Sequence, residues 1–178
     1  MITVRGKHIE KLFDEERIAA EVLRVAREIA ATPTTDLLVV SVLKGSFVFA
    51  ADLIRAMHTT GLAPEVEFIT LSSYGAGTEP GEIRVLRDVE SPVEGRTVLL
   101  VDDILESGRT ISFARDMLLA RGAGEVKIAV LLDKRMRRKT VIEADYVGFD
   151  CPDLFVVGYG MDVAHAFREL PFVGKVVE

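Results

Sequence analysis

Residues 36–43, DLLVVSVL, form an aliphatic run of strand length. A strand with one face in water alternates apolar and polar residues. A run without that alternation is buried on both faces, as in a parallel sheet covered by helices on each side. Residues 97–101, TVLLV, and 125–134, EVKIAVLLDK, supply further strands of this kind. Helical spacing separates them. Within residues 13–31 the apolar positions Ile18, Val22, Val25, Ala26 and Ile29 repeat at helical period, acids crowd the start, and Thr32-Pro33 stops the run. Residues 46–61 have helical period up to Gly61, and the helix expected from about Thr110 ends at Gly122. Residues 65–74 read as a strand, the Gly-rich residues 75–82 as a mobile loop, and residues 83–89 as a strand returning in a hairpin. Residues 146–162 hold one or two more strands, and VAHAFREL reads as a helix that Asp162 could cap. This order predicts an α/β sheet with helices on both faces, whose ligands bind beyond the carboxyl ends of the strands. Lys44, Asp102, Lys134 and Asp162 each stand just past an expected strand, so four charged groups converge on one edge.

A chain of 178 residues, about half of them hydrophobic, suits one domain with a sizeable core. The 35 or so residues before the first strand read as one helix. Net charge is −6, from 22 Lys and Arg against 28 Asp and Glu, which opposes nucleic-acid binding. Residues 133–139, DKRMRRK, are the local exception, with five basic residues in seven. They read either as a solvated turn or as a site for an anion. No apolar run approaches the ~20 residues of a membrane span. The first residues show no apolar signal region, and Cys151 has no partner for a disulfide. A cytoplasmic protein is expected.

The segment TVLLVDDILESGRTI, residues 97–111, carries most of the chemistry. Its strand is expected to end near Val101 and its helix to start near Thr110. Between them lie Ser107, Gly108 and Thr110, with free N–H groups at a helix N-terminus, which suits a phosphate. The spacing matches neither a Walker A loop nor G-x-G-x-x-G. Asp102 and Asp103 point to opposite faces. One can reach a ligand hydroxyl or a hydrated Mg²⁺ while the other braces the loop. A phosphate cradle beside two carboxylates fits a sugar phosphate.

VLLVDDILESGRT resembles the phosphoribosyl-pyrophosphate (PRPP) signature of the type I phosphoribosyltransferases. VLKGSFVFAADL, LSSY, LLDKR and PDLFVVGYGMD followed by FREL resemble segments of the hypoxanthine-guanine members, and together cover most of residues 36–170. The resemblance implies a mostly parallel twisted sheet flanked by helices, with a small hood from the N- and C-terminal segments. The whole chain, 1–178, is then one domain with its core at about 36–150. It implies transfer of a 6-oxopurine to C1 of PRPP with release of pyrophosphate, Mg²⁺ as cofactor, no nucleic-acid or membrane partner, and a homodimer or homotetramer. A PRPP-sensing regulator that binds nucleic acid, or a preference for xanthine, is the alternative.

The resemblance also implies roles. Glu106, Ser107, Gly108, Arg109 and Thr110 cradle the 5′-phosphate, and Asp102 and Asp103 hold the ribose hydroxyls directly or through Mg²⁺. Glu106 is the proton acceptor for purine N7, with Asp103 or a water able to share the task. The family more usually has aspartate there, one methylene shorter. Lys44, Gly45 and Arg168 meet the pyrophosphate, and the Leu43–Lys44 bond is expected to be cis. Lys134 donates to purine O6, Phe155 stacks on the base, and Val156 offers backbone groups to its edge. Asp162 lies at the purine and binds a second Mg²⁺ through water, while Ser73 and Tyr74 begin a lid.

Overall fold

Burial along the central strands explains the layering. In β3 (Leu38–Leu43) all residues but the last are buried, and β6 (Thr97–Leu105) opens with six buried residues. The computed structural model describes residues 2–74 and 81–177, with Tyr74 by its backbone alone. The expected mobile loop lies mostly outside the described residues. The remaining strands are β1 (Ile2–Val4), β2 (Lys7–Phe13), β4 (Glu65–Tyr74), β5 (Glu82–Arg87), β7 (Glu125–Asp133), β8 (Tyr146–Asp150), β9 (Val156–Val157) and β10 (Val173–Val177). The helices are α1 (Glu15–Ala31), α2 (Phe47–Thr59) and α3 (Arg109–Ala120).

Six strands form one sheet in the order β5-β4-β3-β6-β7-β8. All neighbours are parallel except the β4–β5 hairpin. Side chains alternate between faces. Val39, Leu99, Val101, Ala129 and Leu131 pack with α1 and α2, whereas Leu38, Val40, Val98, Leu100, Ile128 and Val130 pack with Ile111, Ala114 and Leu118 of α3. The long apolar runs are therefore covered from both sides, as their composition requires. At the N-terminus of α1, Asp14 caps by accepting from Arg17 N at 2.9 Å.

A second sheet, β1-β2-β10-β9, is antiparallel throughout and joins the two ends of the chain around a core of Ile9, Val157, Phe167, Leu170 and Phe172.

Three expectations need correction. The N-terminal segment is not one helix. A β1–β2 hairpin precedes α1, turned by Arg5 (φ 51°) and Gly6 (φ 76°). Two successive positive φ values are what a two-residue hairpin turn demands. The strand carrying the aspartates does not end near Val101. It runs to Leu105 because β7 keeps pairing with it, Ile104 opposite Leu132 and Leu105 opposite Asp133. Residues 163–170 form no helix. Ala164, His165 and Phe167 have positive φ, and the Asp162 carboxylate accepts the His165 N–H at 2.7 Å, closing a tight turn. Eight residues are too few to nucleate a helix alone, and burying Phe167 and Leu170 in the small-sheet core favours the turn.

Candidate active site

The carboxyl ends of β3, β6 and β7 lie side by side because those strands are parallel neighbours. Above them a cavity of about 360 Å³ is lined by Asp102, Asp103, Glu106, Ser107, Gly108, Thr110, Lys134, Phe155, Val156 and Asp162. A second cavity, of about 420 Å³, is lined by Lys44, Gly45, Ser72 and Arg168 and shares Asp103 and Asp162 with the first. The large sheet thus supplies the acids, the hydroxyl loop and two lysines. The segment around β9 supplies Phe155, Val156, Asp162 and Arg168.

Asp102 and Asp103 stand at the centre. The Asp103 N–H donates to Asp102 Oδ1 at 2.8 Å, and the Ile104 N–H donates to Asp103 Oδ1 at 2.7 Å. Burial holds the Asp102 carboxyl well above the usual carboxylate range, and the charge of Asp103 pushes the same way. Burial also raises Asp103, against its hydrogen bond with Asp102 and the charge of Arg168. No lysine or arginine among the described residues forms an ion pair with either. Two adjacent acids, Asp102 buried and Asp103 half-buried, without a paired cation suit Mg²⁺, which takes one or two carboxylates and leaves its other positions to water and ligand phosphates. Among the described residues no cluster of three or more His, Cys, Asp or Glu is arranged for a metal, so Asp102, Asp103 and Asp162 do not come together as one ligand set.

Glycines permit the close approaches. A Cβ on Gly45 would overlap the Asp103 carboxylate, so the β3–α2 loop lies directly on the acid pair. The Leu43–Lys44 bond is cis, as expected. Gly108, at φ 84°, turns the chain from β6 into α3.

Lys134 and Glu106 pair across the cavity wall at 2.5 Å. Lys134 is 5% exposed and held by its backbone N–H on Leu105 O, whereas half of the Glu106 side chain is in solvent. Phe155 is 59% exposed at the mouth, well placed to offer a ring face. Arg168 reaches Gly160 O at 2.6 Å and Asp162 at 3.0 Å, so Asp162 is tethered by both Arg168 and His165.

Arg109 and Ser73 stand apart from the other candidates. The Arg109 side chain donates to Gly81 O at 2.9 Å and lines neither cavity. Ser73 is exposed, and the Tyr74 side chain lies outside the described residues. In the basic stretch at 133–139, four of the five basic side chains have carboxylate partners, Lys134 pairing with Glu106. Arg135 pairs with Asp133 and Asp150, Arg137 with Asp153, and Arg138 with Asp133. Sequence reasoning missed Met161 and Ile104 in the first cavity and Ser72 in the second, where the Ser72 hydroxyl is buried without a hydrogen-bond partner among the described residues. Only their places next to Asp162, Asp103 and Ser73 could have pointed to them.

The Phosphoribosyl transferase domain family model matches residues 8–164. The Hypoxanthine-guanine phosphoribosyltransferase of Aquifex aeolicus is 43% identical over 179 residues, which is 99% of each chain. The Bifunctional protein TilS/HprT of Listeria innocua is 43% identical over 165 residues, and there the match spans 92% of this chain but 25% of that protein. The crystal structure of a Hypoxanthine Phosphoribosyltransferase from Staphylococcus aureus superposes with a TM-score of 0.89 at 38% identity, covering 94% of this chain and 91% of that one. With a family match over most of the chain and near-complete overlap with a relative 43% identical, the chain belongs to the hypoxanthine phosphoribosyltransferases of the phosphoribosyl transferase domain family.

Proposed function

We propose that the protein transfers the 5-phosphoribosyl group of PRPP to hypoxanthine or guanine, forming IMP or GMP and pyrophosphate. The observation that carries this reading is the Lys134–Glu106 pair on the cavity wall. A 6-oxopurine presents an acceptor, O6, beside a donor, N7–H. An ammonium beside a carboxylate is the complement of that edge. A 6-aminopurine presents a donor to the lysine and mismatches it.

In the reaction the bond from purine N9 to C1 forms as the bond from C1 to the pyrophosphate oxygen breaks. The N7 proton passes to Glu106, whose extra methylene relative to aspartate is compatible with its half-exposed position. Phe155 stacks on the base, and Val156 meets its edge through the backbone. Ser107, Gly108 and Thr110 hold the 5′-phosphate through N–H and hydroxyl groups, while Arg109 contributes its backbone. Lys44, Gly45 and Arg168 receive the pyrophosphate, and Asp102 and Asp103 orient the ribose hydroxyls. Asp102 and Asp103, and separately Asp162, would hold Mg²⁺, and the ion would supply positive charge against the phosphates. Ser73 and Tyr74 belong to the covering segment.

The reading includes a homodimer or homotetramer in the cytoplasm. It is supported by the exposed Phe47, Phe68 and Leu86 and by a lone, unpaired Cys151. No helix among the described residues is long and apolar enough to cross a membrane. The test is steady-state nucleotide formation from PRPP with hypoxanthine, guanine, xanthine and adenine. Turnover with hypoxanthine or guanine and none with adenine is expected. Adenine used as well as hypoxanthine would overturn the reading.

A further inference from the structure

Two successive carbonyls of the hydroxyl loop point away from the cavity. Glu106 O accepts from Arg138 Nε at 3.0 Å. Ser107 O accepts from the backbone N–H groups of Lys139 at 2.9 Å and Thr140 at 3.0 Å. A trans peptide unit is planar, with its C=O and N–H on opposite sides. Holding these carbonyls against residues 138–140 turns the following N–H groups, those of Ser107 and Gly108, the other way. That way lies the cavity which both residues line. Neither N–H has a protein acceptor among the described residues.

Arg138 is the side chain in this buttress, and the other ties are backbone. Besides Glu106 O, its guanidinium donates to Ile142 O and to the carboxylate of Asp133, which is 1% exposed. One planar fork thus joins the loop, the returning segment and the end of β7. The side chain is itself 13% exposed. Its stem lies under Gly108, where a Cβ would come within 3.1 Å of Arg138 Cδ. Arg135 provides the contrast. It reaches the same Asp133 at 3.2 Å from outside, is 67% exposed and has no bond to the loop.

We propose that Arg138 is a positioning residue for the 5′-phosphate of PRPP: acting through the Glu106 carbonyl, it holds the Ser107 and Gly108 N–H groups on the phosphate. The side chain itself does not meet the substrate. The inference rests on the phosphate site of the proposed function and assigns the basic stretch a task that neither a solvated turn nor an anion site describes.

The experiment compares wild type with R138A, R138K and R135A. Kinetics are measured with PRPP and with hypoxanthine varied in turn, ribose 5-phosphate is titrated calorimetrically, and thermal melts check the fold. R138A is expected to raise KM for PRPP and weaken ribose 5-phosphate by about tenfold, the worth of one hydrogen bond to a charged group. KM for hypoxanthine stays near the wild-type value. R138K keeps the charge but not the fork and stays impaired, while R135A behaves as wild type. Millimolar guanidinium added to R138A restores part of the ribose 5-phosphate affinity, which a general loosening of the fold would not do. Folded R138A with wild-type PRPP and ribose 5-phosphate constants would overturn the proposal. So would an equal rise in both KM values without rescue. Where R138A fails to fold, R138K decides by the same comparison. A wild-type protein that makes no nucleotide would defeat the proposed function instead, and the ribose 5-phosphate titrations would still decide the role of Arg138.

Discussion

Asp102 and Asp103 pit stability against binding. Their folded-state pKa values lie above those of an exposed carboxyl, chiefly through burial. The folded chain therefore holds these protons more tightly than the unfolded chain. This makes no difference below the ordinary carboxylate range, where both states are protonated. Stability is then lost as pH rises from that range through the raised folded values. Asp102→Asn is expected to raise the melting temperature at neutral pH, leave it unchanged in strong acid, and abolish the use of PRPP. Melting curves against pH for both proteins check the sign. A variant less stable than wild type at neutral pH would contradict it. Lys134→Ala is expected to lower kcat/KM for hypoxanthine and guanine by about 1–3 kcal/mol, because it removes a charged donor and leaves Glu106 unpaired. Steady-state kinetics with both bases measure it. At this scale the residues that line the first cavity were legible, since acids, hydroxyls and glycine occur together in VDDILESGRT. Arg138 was not, because a side chain that acts on a carbonyl two elements away looks, in sequence, like its exposed neighbours.

The turn from β6 into α3 is the element on which the proposed phosphate site depends. Gly108 there has φ 84°, and a Cβ would lie 2.5 Å from Ile142 Cγ2. Gly108→Ala is expected to cost about 1–3 kcal/mol of stability through backbone strain and overlap. It should also raise KM for PRPP more than KM for purine. Denaturant unfolding and kinetics on one preparation test both. The central strands could be read from sequence because burial on both faces leaves an unbroken apolar run. The β1–β2 hairpin could not be read from its apolar residues, which are too few: Ile9 and Phe13 are buried and Leu12 half-buried, but Lys7, His8 and Lys11 are exposed and Glu10 half-buried. Its signal was the Arg5-Gly6 turn. The misread helix at residues 163–170 shows the opposite failure. Its composition suits a helix, but the Asp162 turn and the burial of Phe167 and Leu170 bind it to another conformation.

Across the whole molecule the two sheets divide the candidate site. The large sheet carries Asp102, Asp103, the hydroxyl loop, Lys44 and Lys134, and the segment around β9 of the small sheet carries Phe155, Val156 and Arg168. Ile9→Ala, in the small-sheet core, is expected to cost about 2–5 kcal/mol. Among molecules that remain folded, it should raise KM for purine before KM for PRPP. Kinetics below the melting transition test this. Removing divalent cations with EDTA is expected to abolish turnover and readdition of Mg²⁺ to restore it, because Asp102 and Asp103, which no lysine or arginine pairs among the described residues, would otherwise repel the phosphates. Activity that survives exhaustive chelation would contradict the charge balance. The Lys134–Glu106 contact bears on how the site treats its second substrate. A 6-oxopurine inserted between the two side chains, as the proposed function has it, gives up their ion pair for two hydrogen bonds to charged groups, so part of its binding is offset by the pair it breaks. A wrong base must break the pairing without replacing it, so the pocket discriminates by what it refuses.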